Sequence, residues 1–319
     1  MFELVVKYYM NLFINSIHRF FFNLKNFGIY LSCIIFLSEF AEFNLIRGSK
    51  FFSFIQTKKY DLICDFINNK YANEIEEYSN KKFENAINQK KIWVVWWQGE
   101  SEFPGIVKNC INSIDSYSGD YELVIITKDN YSQYVDLPIQ ILEKVESGKL
   151  SFTNISDILR MGLLSSYGGV WVDSTIFVSD FIFNEFDEIE YNSLGKCVTF
   201  FMGGKSNKLF SFVYDILIKY SLEYDIFIDY FFLNYIIEVA YNSFDDCREY
   251  MDNTTFKNPY IFYFINNFSK SFNQESFDDI CDKYKFFKLS YKPSKNYKMY
   301  DSDGNITYWG YFSNESIKR

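Results

Sequence analysis

Residues 156–175, SDILRMGLLSSYGGVWVDST, constrain the fold of this chain more than any other stretch. A charged helical segment runs through a Gly-Gly turn into an apolar strand that ends on an aspartate. That order places polar groups at the carboxyl end of a strand, where open α/β sheets bind nucleotides. Asp157 and Arg160 are three residues apart, so on a helix they share a face and can approach the same ligand as Asp173. An isolated Asp-x-x-Arg is an ordinary surface ion pair of little worth. Joined to the turn and to Asp173-Ser174-Thr175, it marks three charged groups converging on one pocket.

The surrounding pattern alternates between the two periodicities. Ile92–Trp97 reads as a buried strand, Ile106–Tyr117 as a helix and Glu122–Thr127 as a second strand. A helix over Ile155–Tyr167, opened by Thr153 or Asn154 and stopped by Gly168-Gly169, precedes the strand Val170–Asp173. Cys197–Met202 is a further strand, and Gly203-Gly204 permits close backbone approach. Leu209–Tyr220 and Ile226–Tyr241 read as helices, and beyond Asn242 the pattern weakens into short helices and loops. This is the alternation of a parallel α/β sheet. A chain of 319 residues accommodates it as one large domain over 91–319 with an appended segment, 1–90.

Within the appended segment, Asp61–Lys90 is polar and charge-mixed, as in a solvated helix. From Phe2 to Phe27, Val6, Met10, Phe13, Ile17, Phe20 and Leu24 recur at helical spacing, with Lys7, Asn11, Asn15, His18 and Lys25 on the other side. The apolar run that follows, Phe27–Leu37, is shorter than the roughly 20 residues needed to span a bilayer. Residues 1–50 carry a small excess of basic over acidic side chains in a chain of net charge −9. The segment therefore reads either as a cap packed on the main domain or as a contact with an anionic membrane surface.

The same acidity excludes nucleic acid as the main partner, since phosphate-backbone binding needs clustered Lys and Arg. The single histidine, His18, lies far from the charged motif, which argues against mechanisms built on a histidine base. Six cysteines without a Cys-x-x-Cys pair read as reduced structural residues of a cytosolic protein rather than a zinc site or disulfide framework.

The blocks Ser156–Arg160, Tyr167-Gly168-Gly169 and Asp173-Ser174-Thr175 are similar to those of sugar-nucleotide glycosyltransferases with the DxD sugar-binding region. The pattern resembles above all the capsular polysaccharide synthesis branch of glycosyltransferase family 32. Trp96-Trp97-Gln98-Gly99, Pro104-Gly105-Ile106-Val107 with Cys110, Tyr121–Ile125 and Ile228-Asp229-Tyr230-Phe231 extend the likeness over roughly Lys91 to Tyr241. The resemblance implies a GT-A fold, the nucleotide-diphospho-sugar transferase variant of a Rossmann-like mixed sheet, here with an N-terminal helical extension. It implies transfer of a hexose from a UDP-sugar, with retention, to a capsular polysaccharide or lipid-linked glycan at the cytoplasmic face of a membrane, assisted by Mn²⁺ or Mg²⁺.

By the same resemblance, Asp173 is the first motif aspartate, which contacts donor and metal, and Ser174 stands beside it at the donor. Asp157 and Arg160 serve the donor's hydroxyls and ribose-phosphate region, Trp96 stacks on the base, and Asp229 acts near the acceptor or the anomeric carbon. The chain departs from the pattern at Thr175, which stands where the second metal-binding aspartate is usual, so metal dependence is less secure here. Two alternatives stay open. One is a toxin-like enzyme that glycosylates protein; the other is a weakly active nucleotide-sugar-binding scaffold. Tyr308-Trp309 is a candidate lid over the donor.

Overall fold

The computed structural model describes residues 2–43, 49–83, 87–183, 191–192, 199–253, 258–292 and 297–314. Four helices come first: α1 (Phe2–Phe27), α2 (Ile29–Phe43), α3 (Lys50–Lys70) and α4 (Ala72–Asn80). The central part contains β1 (Lys91–Val95), α5 (Gly105–Ser116), β2 (Glu122–Ile126), α6 (Ile139–Glu146), α7 (Phe152–Tyr167), β3 (Gly169–Val172), β4 (Ile176–Val178), β5 (Tyr191–Asn192) and β6 (Phe201–Gly204). Then follow α8 (Lys208–Glu223), α9 (Phe232–Ser243), α10 (Asp245–Asn253), α11 (Tyr263–Asn266), α12 (Gln274–Lys283), β7 (Phe286–Lys288) and α13 (Tyr308–Ser313).

Five strands form a sheet in the order β2-β1-β3-β6-β5, and β4 pairs with β7 in a second, two-stranded sheet. β1 runs parallel to both β2 and β3, whereas β6 is antiparallel to β3. The architecture is therefore mixed α/β with a parallel centre. Because β2 and β3 lie on opposite sides of β1, the chain reverses its direction of sheet growth there. A crevice opens at such a point beyond the carboxyl ends of β1 and β3.

The central strands β1, β3 and β6 bury both faces, and their side chains alternate between two cores. Trp93, Val95, Val124, Ile126, Trp171 and Met202 face a core shared with α7, α8 and α9. Ile92, Val94, Trp96, Val170, Val172 and Phe201 face the other, closed by α5 and the β4–β7 ribbon. Trp96 and Trp97 accordingly point to opposite sides, as strand periodicity requires. α3 contributes Ile63 and Ile67 to the first of these cores, so part of the N-terminal segment is built into the same apolar interior as β1.

The Gly-Gly turn has two functions. Gly168 and Gly169 adopt φ of 65° and 84°, a region that disfavours side chains. A Cβ on Gly168 would also lie 2.3 Å from the Ile87 carbonyl oxygen, and one on Gly169 2.6 Å from that of Lys91. The pair ends α7 and lets β3 come close to the segment entering β1.

Several sequence boundaries shift for identifiable reasons. α7 begins at Phe152 because Ser151, not Thr153 or Asn154, is its cap: Ser151 Oγ accepts from Asn154 N–H, and Asn154 Oδ1 accepts from Ser151 N–H, a reciprocal box. The helix expected over 61–90 is instead α3, capped by Ser49, then α4 after a break at Tyr71. The strand expected over Cys197–Met202 is β6, starting at Phe201; residues 193–198, Cys197 among them, lie outside the described residues. α9 starts at Phe232 rather than Ile226, because Asp229 turns its carboxylate onto Phe231 N–H (2.8 Å) and holds the preceding segment out of the helix. Tyr308 and Trp309 form no lid. Tyr308 is buried against Phe264 and Phe272, and Trp309 packs on Phe268 and Tyr297 within an aromatic core.

Candidate active site

A cleft of about 670 Å³ opens beyond the carboxyl ends of β1 and β3, where the strand order reverses. The residues after β1, Trp96, Trp97 and Gln98, form one wall, and Asp173, Ser174 and Thr175, directly after β3, form its floor. α7 supplies Ser156 and Arg160, the loop before α9 supplies Tyr230, and β7 with its following turn supplies Lys288 and Tyr291. Asp173-Ser174-Thr175 is a tight turn closed by Ile176 N–H on the Asp173 carbonyl (2.9 Å), which leads directly into β4. Pairing of Ile176 with Lys288 in the β4–β7 ribbon then carries a lysine from late in the chain to the motif aspartate.

Asp173 is the hub of the charge network. Its Oδ1 accepts from Arg160 Nη2 at 3.1 Å and from the Trp171 indole at 2.9 Å, and its Oδ2 accepts from Lys288 Nζ at 2.6 Å. The Arg160 guanidinium lies over the Trp171 ring, 4.7 Å from its centroid, and its Nη1 stands 3.2 Å from Asp157 Oδ1. The side chains of Asp157 and Arg160 are 9% and 7% exposed, those of Asp173 and Lys288 24% and 20%. Asp157 thus forms a buried support, Arg160 reaches the cleft from beneath, and Asp173 and Lys288 are its more exposed pair. Arg160 Nε is buried without a hydrogen-bond partner among the described residues.

Burial pushes the Asp157 carboxyl up to about 6, against the pull of Arg160 and with the help of the negative charge on Asp173. Burial also acts to raise Asp173, but Lys288 and Arg160 together outweigh it and hold that carboxyl below its ordinary value. The two carboxylates therefore have opposite pH signatures. A raised folded pKa contributes stability that is complete at low pH and lost as pH climbs through about 6, so Asp157 favours the fold more at pH 5 than at pH 7, by about 1 kcal/mol. Asp173, with its lowered value, contributes stability above the ordinary carboxylate range and loses it only in stronger acid. Denaturant unfolding of wild type and Asp157→Asn at both pH values checks this. The variant should lack that gain at pH 5, and an unchanged difference between the two pH values would refute the assignment.

The sequence-derived residues separate into groups. Trp96, Arg160, Asp173, Ser174 and Thr175 line the cleft together, whereas Asp157 stands behind Arg160. Trp96 is largely buried between Phe103 and Tyr291, with ring centroids 5.9 and 5.2 Å away. Asp229 does not line the cleft, although its neighbour Tyr230 does. Its Oδ2 instead accepts from Lys59 Nζ of α3 at 2.9 Å in a buried ion pair.

Lys288 escaped the sequence reading altogether. Its only local signal is a short apolar run between lysines, KFFK at 285–288, and its partner lies 115 residues away.

Asp173 and Thr175 are the residues that the motif assigns to a divalent ion, and their surroundings do not fit one. Both Asp173 oxygens already serve cationic donors, and a dication at that carboxylate would stand beside a guanidinium and an ammonium whose repulsion it must overcome. Hard divalent ions prefer carboxylate oxygen, and Thr175 offers a hydroxyl. Among the described residues, no three His, Cys, Asp or Glu side chains converge as a metal site.

The family model described as "Capsular polysaccharide synthesis protein" matches residues 46–303, which include every residue lining the cleft. Among curated proteins, the "O-glycosyltransferase braB" of Annulohypoxylon truncatum is 26% identical over 116 residues, 34% of this chain and 27% of that protein. The chain thus spans about a quarter of the length of that relative.

Proposed function

The chain belongs to the capsular polysaccharide synthesis protein family, and from that membership and the cleft together we propose that it is a glycosyltransferase moving a hexose from a nucleotide sugar to a glycan acceptor. The observation that carries this reading is the position of Asp173, Arg160 and Lys288 at the point where the strand order reverses, beneath a wall of Trp96 and Trp97. The three parallel strands followed by an antiparallel one are compatible with the GT-A variant of the α/β fold. UDP-hexose is the donor, and the acceptor is a growing capsular polysaccharide or a lipid-linked glycan.

In the transfer, the bond from the anomeric carbon to the β-phosphate oxygen breaks and its electron pair stays on the diphosphate. A hydroxyl of the acceptor bonds to that carbon and gives its proton to the departing diphosphate on the same face, which retains configuration. Asp229, neutralised by Lys59, is held away from the role of proton acceptor. The protein's work is then to orient donor and acceptor and to stabilise the charge that grows on the leaving group. Nucleoside diphosphate release from a panel of nucleotide sugars, with lipid-linked glycan or with protein as the acceptor, tests the reading. Release with glycan acceptor supports it; release with protein alone replaces it by protein glycosylation.

The enzyme works against a membrane surface. No described helix is long and apolar enough to cross one. Phe21, Ile29, Tyr30, Phe51 and Phe54 on α1–α3 are nevertheless each more than half exposed, within a segment of slight basic excess. Fully burying a Phe is worth roughly 1.5–3 kcal/mol. Replacing Phe51 and Phe54 together with Ser should therefore reduce co-flotation with phosphatidylglycerol vesicles at least tenfold, and unchanged flotation would remove this surface from the model of action.

A further inference from the structure

We propose that Lys288, with Arg160, occupies the electrostatic position of a divalent ion in this enzyme: the two side chains bind the donor's diphosphate and take up the charge that develops on it. The proposal rests on the nucleotide-sugar reading above and deepens it.

Three observations carry it. First, the two cations approach the same carboxylate from different oxygens, Arg160 Nη2 at Oδ1 and Lys288 Nζ at Oδ2, and both side chains line the cleft. Two cationic side chains are therefore held, by their carboxylate partners, where a metal would otherwise supply charge. Second, donor capacity is left over. The Lys288 ammonium, partly open to the cleft, has three N–H groups, of which Asp173 takes one. A diphosphate oxygen can be added to this pair without dismantling the ion pairs that position it. Third, the position of the motif's second carboxylate is Thr175, so a negative charge that would compete with the diphosphate for the cations, and that a metal would require, is missing from the floor of the cleft.

The arrangement is chemically sufficient. Breaking the bond between the anomeric carbon and oxygen leaves an electron pair on the β-phosphate. Two fixed cations in a partly desolvated cleft stabilise that charge without reorganising during the reaction. Arg offers a planar fork to phosphate, Lys a compact point charge, and both uses are well suited to this ligand.

The test is titration calorimetry of the full chain with UDP and GDP and with their monophosphates, in EDTA and in Mn²⁺. Wild type should bind a diphosphate in EDTA with an affinity within about threefold of that in Mn²⁺. Lys288→Met should weaken diphosphate binding roughly 10- to 100-fold, the range of a lost charge-assisted hydrogen bond, while changing monophosphate binding less than threefold. Lys288→Arg should recover most of the loss. A structural defect would weaken both nucleotides alike, and the EDTA comparison on wild type needs no variant to fold.

Diphosphate binding that vanishes in EDTA, or Lys288→Met binding as wild type does, overturns the proposal and leaves the nucleotide-sugar reading standing. Failure to bind any of these nucleotides, or any nucleotide sugar, in either condition overturns both.

Discussion

Asp173→Asn should lower glycosyl transfer by about 100- to 1,000-fold while leaving affinity for the nucleoside diphosphate product within a factor of about three. The two effects separate because of what the carboxylate does. Its Oδ1 fixes Arg160 and the Trp171 indole, and its Oδ2 fixes Lys288. Asparagine keeps the size of the side chain but has a single acceptor oxygen, and its NH₂ group faces one of the former donors. One cation then loses its orientation. Bound diphosphate can still attract both cations, because the competing negative charge has gone, so ground-state affinity survives. Catalysis that depends on positioned charge does not, since the loss of one preorganised donor costs about 10²- to 10³-fold in other enzymes. Steady-state diphosphate release and calorimetry on the same preparation measure the two quantities. A rate within threefold of wild type would remove Asp173 from the reaction, and a parallel loss of affinity and rate would make it a binding residue only. The contrast with Lys288, whose removal should weaken diphosphate affinity, makes the pair of variants more decisive than either alone.

What the sequence revealed follows the range over which each interaction acts. β1, β2, α5 and α8 were legible within a few residues, because period and punctuation are local properties. The convergence of Asp157, Arg160 and Asp173 was legible as well, since helix spacing fixes the first two and the Gly-Gly turn fixes the direction of the strand that delivers the third. The carboxyl-end location of the cleft followed from the α/β alternation. Illegible were contacts made by pairing between distant segments. Lys288 reaches Asp173 only because β7 pairs with β4, and neither three-residue strand announces its partner. Lys59 reaches Asp229 across 170 residues, which places the aspartate expected near the acceptor or the anomeric carbon in a buried ion pair just ahead of α9. Tyr308 and Trp309 invited a lid on aromatic content alone, whereas aromatic side chains more often fill cores, as these do. Local pattern located the motif, and long-range pairing supplied the lysine partners of Asp173 and Asp229.

The largest effect on stability should come from Arg160→Met, which is expected to cost about 3–5 kcal/mol and to lower the melting temperature by roughly 10 °C. Methionine preserves much of the aliphatic bulk beneath Trp171 but removes the guanidinium that Asp157 and Asp173 share. Asp173 keeps Lys288, at 2.6 Å, and remains partly open to water. Asp157 is left buried without its cation, so its carboxyl, already pushed up by burial, rises further and takes up a proton on folding. That proton uptake makes the variant's deficit depend on pH: the gap from wild type should narrow from pH 7 to pH 5, because protonation removes the uncompensated charge. Asp157→Asn combined with Arg160→Met should recover part of the loss at pH 7, since replacing both members of a buried pair is far less costly than removing one. A double-mutant cycle in denaturant measures the coupling directly. Single variants whose losses merely add would show that the pair contributes nothing beyond its separate parts, and the buried support beneath the cleft would then have to be sought in the packing of Arg160 on Trp171 alone.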